Sequence, residues 1–165
     1  MEAQTPFAIV LGCADSRVPP EVVFDQGLGD LFVVRVAGNI AAPTQVGSIE
    51  LAVESFDTRL VVVLGHERCS AIAAALADIE STAAPISGSL RTIVNRVRPS
   101  IEPLLESSVA ADREQLVHSA VRANVEAAAA NLAESPVLAP RVARGELEIV
   151  GAAYALDSGA VEIFD

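Results

Sequence analysis

Cys13-Ala14-Asp15-Ser16-Arg17 and His66-Glu67-Arg68-Cys69 gather the only two cysteines of the chain and one of its two histidines. Thiolate and imidazole are zinc-ligand types, and a Cys2His set leaves the fourth tetrahedral position for water or a carboxylate. His66 and Cys69 are close enough in sequence for one turn to aim both at a single ion, while Cys13 must arrive from elsewhere in the fold. The open position is the chemically useful one: Zn2+ lowers the pKa of bound water until hydroxide exists near neutral pH. Two thiolates push charge onto the ion, so that pKa should lie above the roughly 7 of an all-imidazole site.

Asp15 and Arg17 sit two apart in an extended or turn segment, a spacing that can place both near the metal. A bidentate pair with Arg17 would keep Asp15 off the ion and free to accept a proton from the attacking oxygen. If Arg17 let go, Asp15 could become the fourth ligand and shut the site. Singly, these residues have ordinary explanations, since a lone buried Cys is usually a small core hydrophobe and Asp-Ser-Arg suits a solvated turn. Their joint arrival at two similar strand exits argues for a metal. A closed structural zinc site is the serious alternative.

The elements that must position them are two apolar runs, Phe7 to Gly12 and Leu60 to Gly65, rich in β-branched residues and stopped by glycine. Both read as fully buried strands. In an open α/β sheet, sites form outside the carboxyl ends of parallel strands, which is where both motifs fall. Leu31 to Val36 is a further strand, Glu148 to Ala155 another, and Ala160 to Phe164 an edge strand after the Asp157-Ser158-Gly159 turn. Helical spacing covers 45–57, 70–79 and 111–133, with a short helix near 18–27 and one at 137–144 closed by Gly145. The Ala-rich face of 70–79 implies close packing on the sheet. Residues 81–89 read as a loop, and the helical pattern of 90–105 should break near Pro99 or Pro103. The expected fold is one α/β domain over 1–165, a mainly parallel sheet flanked by helices with a C-terminal edge strand.

Composition narrows the function classes. A net charge of −11 argues against nucleic acid, because no basic patch can neutralise phosphates, and against anionic membrane surfaces. No apolar stretch reaches membrane-spanning length, and no signal peptide is visible. Two cysteines beside Asp, Arg and His suit thiolate chemistry in a reducing compartment, so a cytoplasmic placement is expected.

Together, Cys13-Ala14-Asp15-Ser16-Arg17, Gly65-His66-Glu67-Arg68-Cys69, the stretch Phe24 to Arg35 and Gly47-Ser48-Ile49-Glu50 resemble the bacterial branch of the β-class carbonic anhydrases. The resemblance fades between 78 and 140. It implies reversible hydration of CO2 to bicarbonate by zinc-bound hydroxide, with Cys13, His66 and Cys69 on the metal and Asp15 and Arg17 as the orienting dyad. It also implies an always-open and a closable branch. Gln4, nine residues before Cys13, matches a substrate-binding glutamine of the open branch, and Phe32 matches a pocket phenylalanine. In the family both reach the metal from the neighbouring protomer, so a homodimer or higher oligomer is implied.

Three positions depart from the family's pattern: Leu51 stands where a tyrosine is common, Ser70 where glycine follows the second ligand cysteine, and Ala37 where valine is usual. With Gln4 and Phe32 these are the candidate substrate-pocket residues. The family's N-terminal helices are missing before the first strand. A domain cut from a longer protein would begin this way, and a fusion to a membrane anion transporter, known in the family, is one such parent. Two other functions remain in view: a non-catalytic zinc or bicarbonate-binding module of a larger protein, and a carbonyl sulfide or carbon disulfide hydrolase on the same scaffold. Glu67 and Arg68 are expected to face solvent without a role, and His118 to be an ordinary helix residue. For the hydratase, the rate should rise into the alkaline range; a flat stopped-flow profile from mildly acidic to alkaline pH would contradict it.

Overall fold

The computed structural model describes residues 4–82, 85–106 and 112–164. Five strands form one sheet: β1 (Ala8–Gly12), β2 (Leu31–Arg35), β3 (Leu60–His66), β4 (Glu148–Tyr154) and β5 (Val161–Ile163). Their order is β2-β1-β3-β4-β5. The first three pairings are parallel, and β5 closes the edge antiparallel to β4. This is the expected α/β architecture with its C-terminal edge strand.

The helices are α1 (Pro20–Val23), α2 (Pro43–Phe56), α3 (Ser70–Ile79), α4 (Gly88–Glu106), α5 (Arg113–Ala133) and α6 (Ala139–Ala143), with a 3-10 turn at Ala37–Asn39. Proline opens α1, α2 and α6, where its missing N–H costs nothing. Asp112 caps α5 by accepting from the Glu114 N–H at 3.0 Å.

Strand alternation sorts the core onto the two faces of the sheet. Ile9, Leu11, Val61 and Val63 pack with Ile49 and Val53 of α2 and Val125, Ala128 and Leu132 of α5. Val10, Val62, Leu64 and Ala152 pack with Val18, Val23, Phe24 and Leu156. The direction in which successive strands are added to the sheet reverses between β1 and β3, since β1 continues to β2 on one side and β3 to β4 on the other, while the two strands stay parallel. The crevice at such a switch point, outside the carboxyl ends of β1 and β3, receives Cys13 and His66.

Three expectations are corrected. The chain stays helical through Pro99 and Pro103. Val94, Val97 and Ile101 are completely buried along that stretch, and the Arg98–Glu102 ion pair spans the interval between the prolines. Tertiary burial here outweighs the lost backbone bonds. The Ala-rich face of α3 packs chiefly on α4 rather than on the sheet. Gly65 does not end β3, whose pairing with β4 continues through Gly65–Ala153 and His66–Tyr154. Glycine is needed there for close approach: an added Cβ would lie 2.5 Å from Val125 Cγ2 and 3.1 Å from Val121 Cγ1. Of the expected loop at 81–89, residues 83 and 84 lie outside the described residues, as does residue 111.

Gly65→Ala should therefore cost about 1–3 kcal/mol by overpacking. Urea unfolding should show a lower midpoint at unchanged slope; an unchanged midpoint would mean that α5 does not press on this strand.

Candidate metal centre

The ligand-type atoms of Cys13, His66 and Cys69 all lie within 4.8 Å of one another. They come from three different local structures. Cys13 follows the last residue of β1, His66 ends β3, and Cys69 is the N-cap of α3. Their exposures are 4%, 0% and 2%, so water does not compete for them from bulk. Ser70 is thus the first residue of α3 rather than its cap, and it is exposed.

Each side chain is aimed by backbone. His66 Nδ1 sits 2.7 Å from the Glu67 carbonyl, which as an acceptor requires the proton on Nδ1. That leaves the Nε2 lone pair facing the two thiols. Nε2 is buried and has no protein hydrogen-bond partner among the described residues. An orphaned imidazole nitrogen next to two thiols is costly unless a cation fills the gap. The Sγ atoms of Cys13 and Cys69 are 3.9 Å apart, and the Gly38 N–H donates to Cys13 Sγ at 3.4 Å.

The electrostatics point the same way. The hydrogen bond from Cys69 lowers the Cys13 thiol's pKa against the opposing effect of burial, while that same contact and burial push Cys69 up. Burial works against an imidazolium at His66, yet contact with the Cys13 thiolate outweighs it and shifts the group upward. Positive charge is thus favoured beside the Cys13 sulfur. A soft, nitrogen- and sulfur-seeking divalent ion such as Zn2+ fits this donor set.

Asp15 lies beside this group and is held away from it. Arg17 grips the carboxylate bidentately, Nε to Oδ1 at 2.9 Å and Nη2 to Oδ2 at 2.7 Å, and the Arg17 backbone N–H adds a bond to Oδ1 at 3.0 Å. The Arg17 guanidinium holds this carboxyl well below the usual carboxylate range. Asp15 Oδ2 is 3.9 Å from His66 Nε2.

Glu67 and Arg68, expected to be idle, pin the ligand loop to the β4–β5 turn. Glu67 Oε2 accepts from the Leu156 N–H at 3.0 Å, and Arg68 pairs with Asp157. Arg68 has a left-handed backbone (φ 53°), and its carbonyl accepts from Arg17 Nη2 at 3.4 Å. Arg35 has a role that the sequence does not reveal: from the end of β2 its guanidinium donates to the Cys13 and Asp15 carbonyls. Its signal was a charge closing an apolar strand.

The expected pocket residues divide. Ala37 packs against the cluster that contains Cys13 and Cys69. Phe32 instead packs against Phe56 under α2, with ring centroids 6.0 Å apart. Leu51 is 59% exposed on α2, and Gln4 is exposed ahead of β1. One chain alone does not bring these three to the metal group.

The carbonic anhydrase family profile matches residues 8–161. Carbonic anhydrase 2 of Mycobacterium tuberculosis is 44% identical over 167 residues, which cover 98% of this chain and 76% of that protein. A carbonic anhydrase of Pseudomonas aeruginosa is 33% identical over 168 residues, covering 98% of this chain and 74% of that one. A structure described as one of two tetrameric β-carbonic anhydrases from Sordaria macrospora has a TM-score of 0.88 at 27% identity, covering 98% of this chain and 82% of that one. None of these relatives supports the transporter fusion, the non-catalytic module or the sulfide hydrolase. Family profile, near-full-length relatives and metal-ready geometry agree, and the chain belongs to the β-carbonic anhydrases, which are zinc enzymes.

Proposed function

We propose that this chain carries out the reversible hydration of CO2 to bicarbonate, with Cys13, His66 and Cys69 as the zinc ligands and Asp15 and Arg17 as the orienting dyad. The observation that carries the reading is a buried His66 Nε2, without a hydrogen-bond partner among the described residues, facing two thiols beside a carboxylate that Arg17 restrains. Zinc, when bound, supplies the Lewis acidity that makes a water-derived nucleophile available near neutral pH.

The protein's own part follows from lone-pair accounting at Asp15. Each carboxylate oxygen offers about two acceptor sites. Oδ1 is occupied by the backbone N–H and Nε of Arg17, and Oδ2 by Nη2 alone. The remaining acceptor site lies on Oδ2, the oxygen nearer His66. Asp15 can accept one hydrogen bond from the attacking oxygen and so turn its free lone pair toward the carbon of CO2. Because Arg17 keeps this carboxyl strongly acidic, Asp15 orients without retaining the proton, which must leave to solvent. The Arg17 clamp also favours the open state over one in which Asp15 is a ligand.

Ala37 supplies an apolar wall beside the ligand cysteines. As the family resemblance implies, Gln4 and Phe32 reach the pocket from a second copy, so the active unit is at least a homodimer; Leu51 is a further pocket residue, and Ser70 stands beside Cys69 at the start of α3. No described helix is long and apolar enough to cross a membrane. A reducing cytoplasm suits the two free thiols that must bind the metal.

Stopped-flow CO2 hydration by the zinc-loaded protein should show turnover that disappears, together with stoichiometric zinc, in Cys13→Ser. A folded, zinc-replete oligomer without turnover would refute the reading. Arg17→Gln should keep its zinc and lose about 10–100-fold in rate; an unchanged rate would remove the orienting role.

The Asp15 carboxyl gives a second handle. Its folded pKa is depressed, so the stabilisation from the pair is fully present above the unfolded value of about 3.9, declines as pH falls below it and is gone once pH has passed the lower folded value. Carbon-detected NMR titration should find Asp15 below the ordinary carboxylate range and shifted up into it in Arg17→Gln. Ordinary titration in the wild type would show that the clamp does not hold in solution.

A further inference from the structure

Asn124 is 4% exposed on α5, on the face that otherwise carries Val121, Val125 and Ala128. A buried amide among aliphatic side chains is costly unless bonded. Its Nδ2 donates to the Gly38 carbonyl at 2.9 Å. Gly38 in turn donates its N–H to Cys13 Sγ. Gly38 is left-handed within the 3-10 turn (φ 73°), as is Asn39 after it (φ 43°), and a Cβ at Gly38 would come within 2.9 Å of the Ala71 Cβ. The turn is therefore restricted to glycine and tightly packed. It has no side chain of its own at that residue to fix its orientation.

The same stretch of α5 governs the other ligand segment. Val121 and Val125 pack directly over Gly65, the residue before His66. One turn of one helix thus touches the backbone beside Cys13 and the backbone beside His66.

We propose that Asn124 is a positioning residue for the metal centre: by holding the Gly38 carbonyl it anchors, from the peptide that follows, the turn residue whose N–H donates to the Cys13 sulfur, and with Val121 and Val125 it sets the spacing of the two ligand-bearing strand ends. It touches neither metal nor substrate and acts through Gly38. This rests on the ligand assignment above. Partners of metal ligands hold them in binding geometry, and their loss typically weakens metal affinity by about 10–100-fold.

The test uses the metal-loaded protein and compares Asn124→Leu, Asn124→Ser and Leu132→Ala. Leu132 is a fully buried α5 residue packed in the cluster under α2, so its truncation controls for loss of stability alone. Zinc dissociation constants come from chelator competition, and the cobalt-substituted protein reports the thiolate-to-metal charge-transfer band. Asn124→Leu should weaken zinc about 10–100-fold and shift or weaken that band, while Leu132→Ala lowers the melting temperature and leaves both unchanged. Should Asn124→Leu not fold, Asn124→Ser is read in the same way. Zinc affinity within twofold of wild type and an unmoved cobalt spectrum in a folded Asn124 variant would overturn the proposal. Cys13→Ser separates the two claims: if it still binds zinc like the wild type, the ligand assignment has failed, whereas loss there with no effect at Asn124 defeats only the positioning role.

Discussion

A fully buried imidazole nitrogen with no hydrogen-bond partner among the described residues is the constraint around which this molecule is arranged. Left alone, the group would cost the free energy of an unmade hydrogen bond in an apolar interior. The protein places two thiols and a carboxylate near it and surrounds them with backbone donors and cations. Arg17 grips Asp15, Arg35 donates to the Cys13 and Asp15 carbonyls, and the Gly38 N–H reaches Cys13 Sγ. Each of these bonds removes a way for the ligand set to relax. The outcome is a site whose local charge balance calls for a cation.

The fold meets this demand through parallel strands of unequal reach. Cys13 lies one residue beyond β1, whereas β3 runs on through Gly65 to place His66 at its own end. Cys69 follows after a left-handed Arg68, which turns the chain into α3. The price is glycine wherever another element comes close, and Gly38 and Gly65 meet that need against α3 and α5. Distant ion pairs hold the surroundings: Arg68 with Asp157 ties the ligand loop to the β4–β5 turn.

Much of the site was legible in the sequence because its chemistry is written in residue types that have few other reasons to coincide. The β1 and β3 runs were readable for the same reason, being β-branched, uninterrupted and buried on both faces. What escaped was governed by packing. Proline signalled a break in α4, but three completely buried aliphatic residues hold the helix together across it. Gly65 looked like a strand terminator because a sequence cannot show that Val125 lies above it. Asn124 did leave a trace: it falls at helical spacing among Val121, Val125 and Ala128, where a polar residue needs a partner. The roles of Glu67 and Arg68 are not legible locally, because their partners lie some 90 residues away, at Leu156 and Asp157.

Zinc K-edge absorption spectroscopy of the active, zinc-loaded protein tests the central claim most directly. Three protein ligands with Asp15 held away predict two sulfurs at about 2.3 Å and one imidazole nitrogen at about 2.0–2.1 Å, plus one further light atom that is exchangeable with solvent or anions. A shell with fewer than two sulfurs, or a fourth ligand that remains a protein carboxylate under turnover conditions, would contradict it.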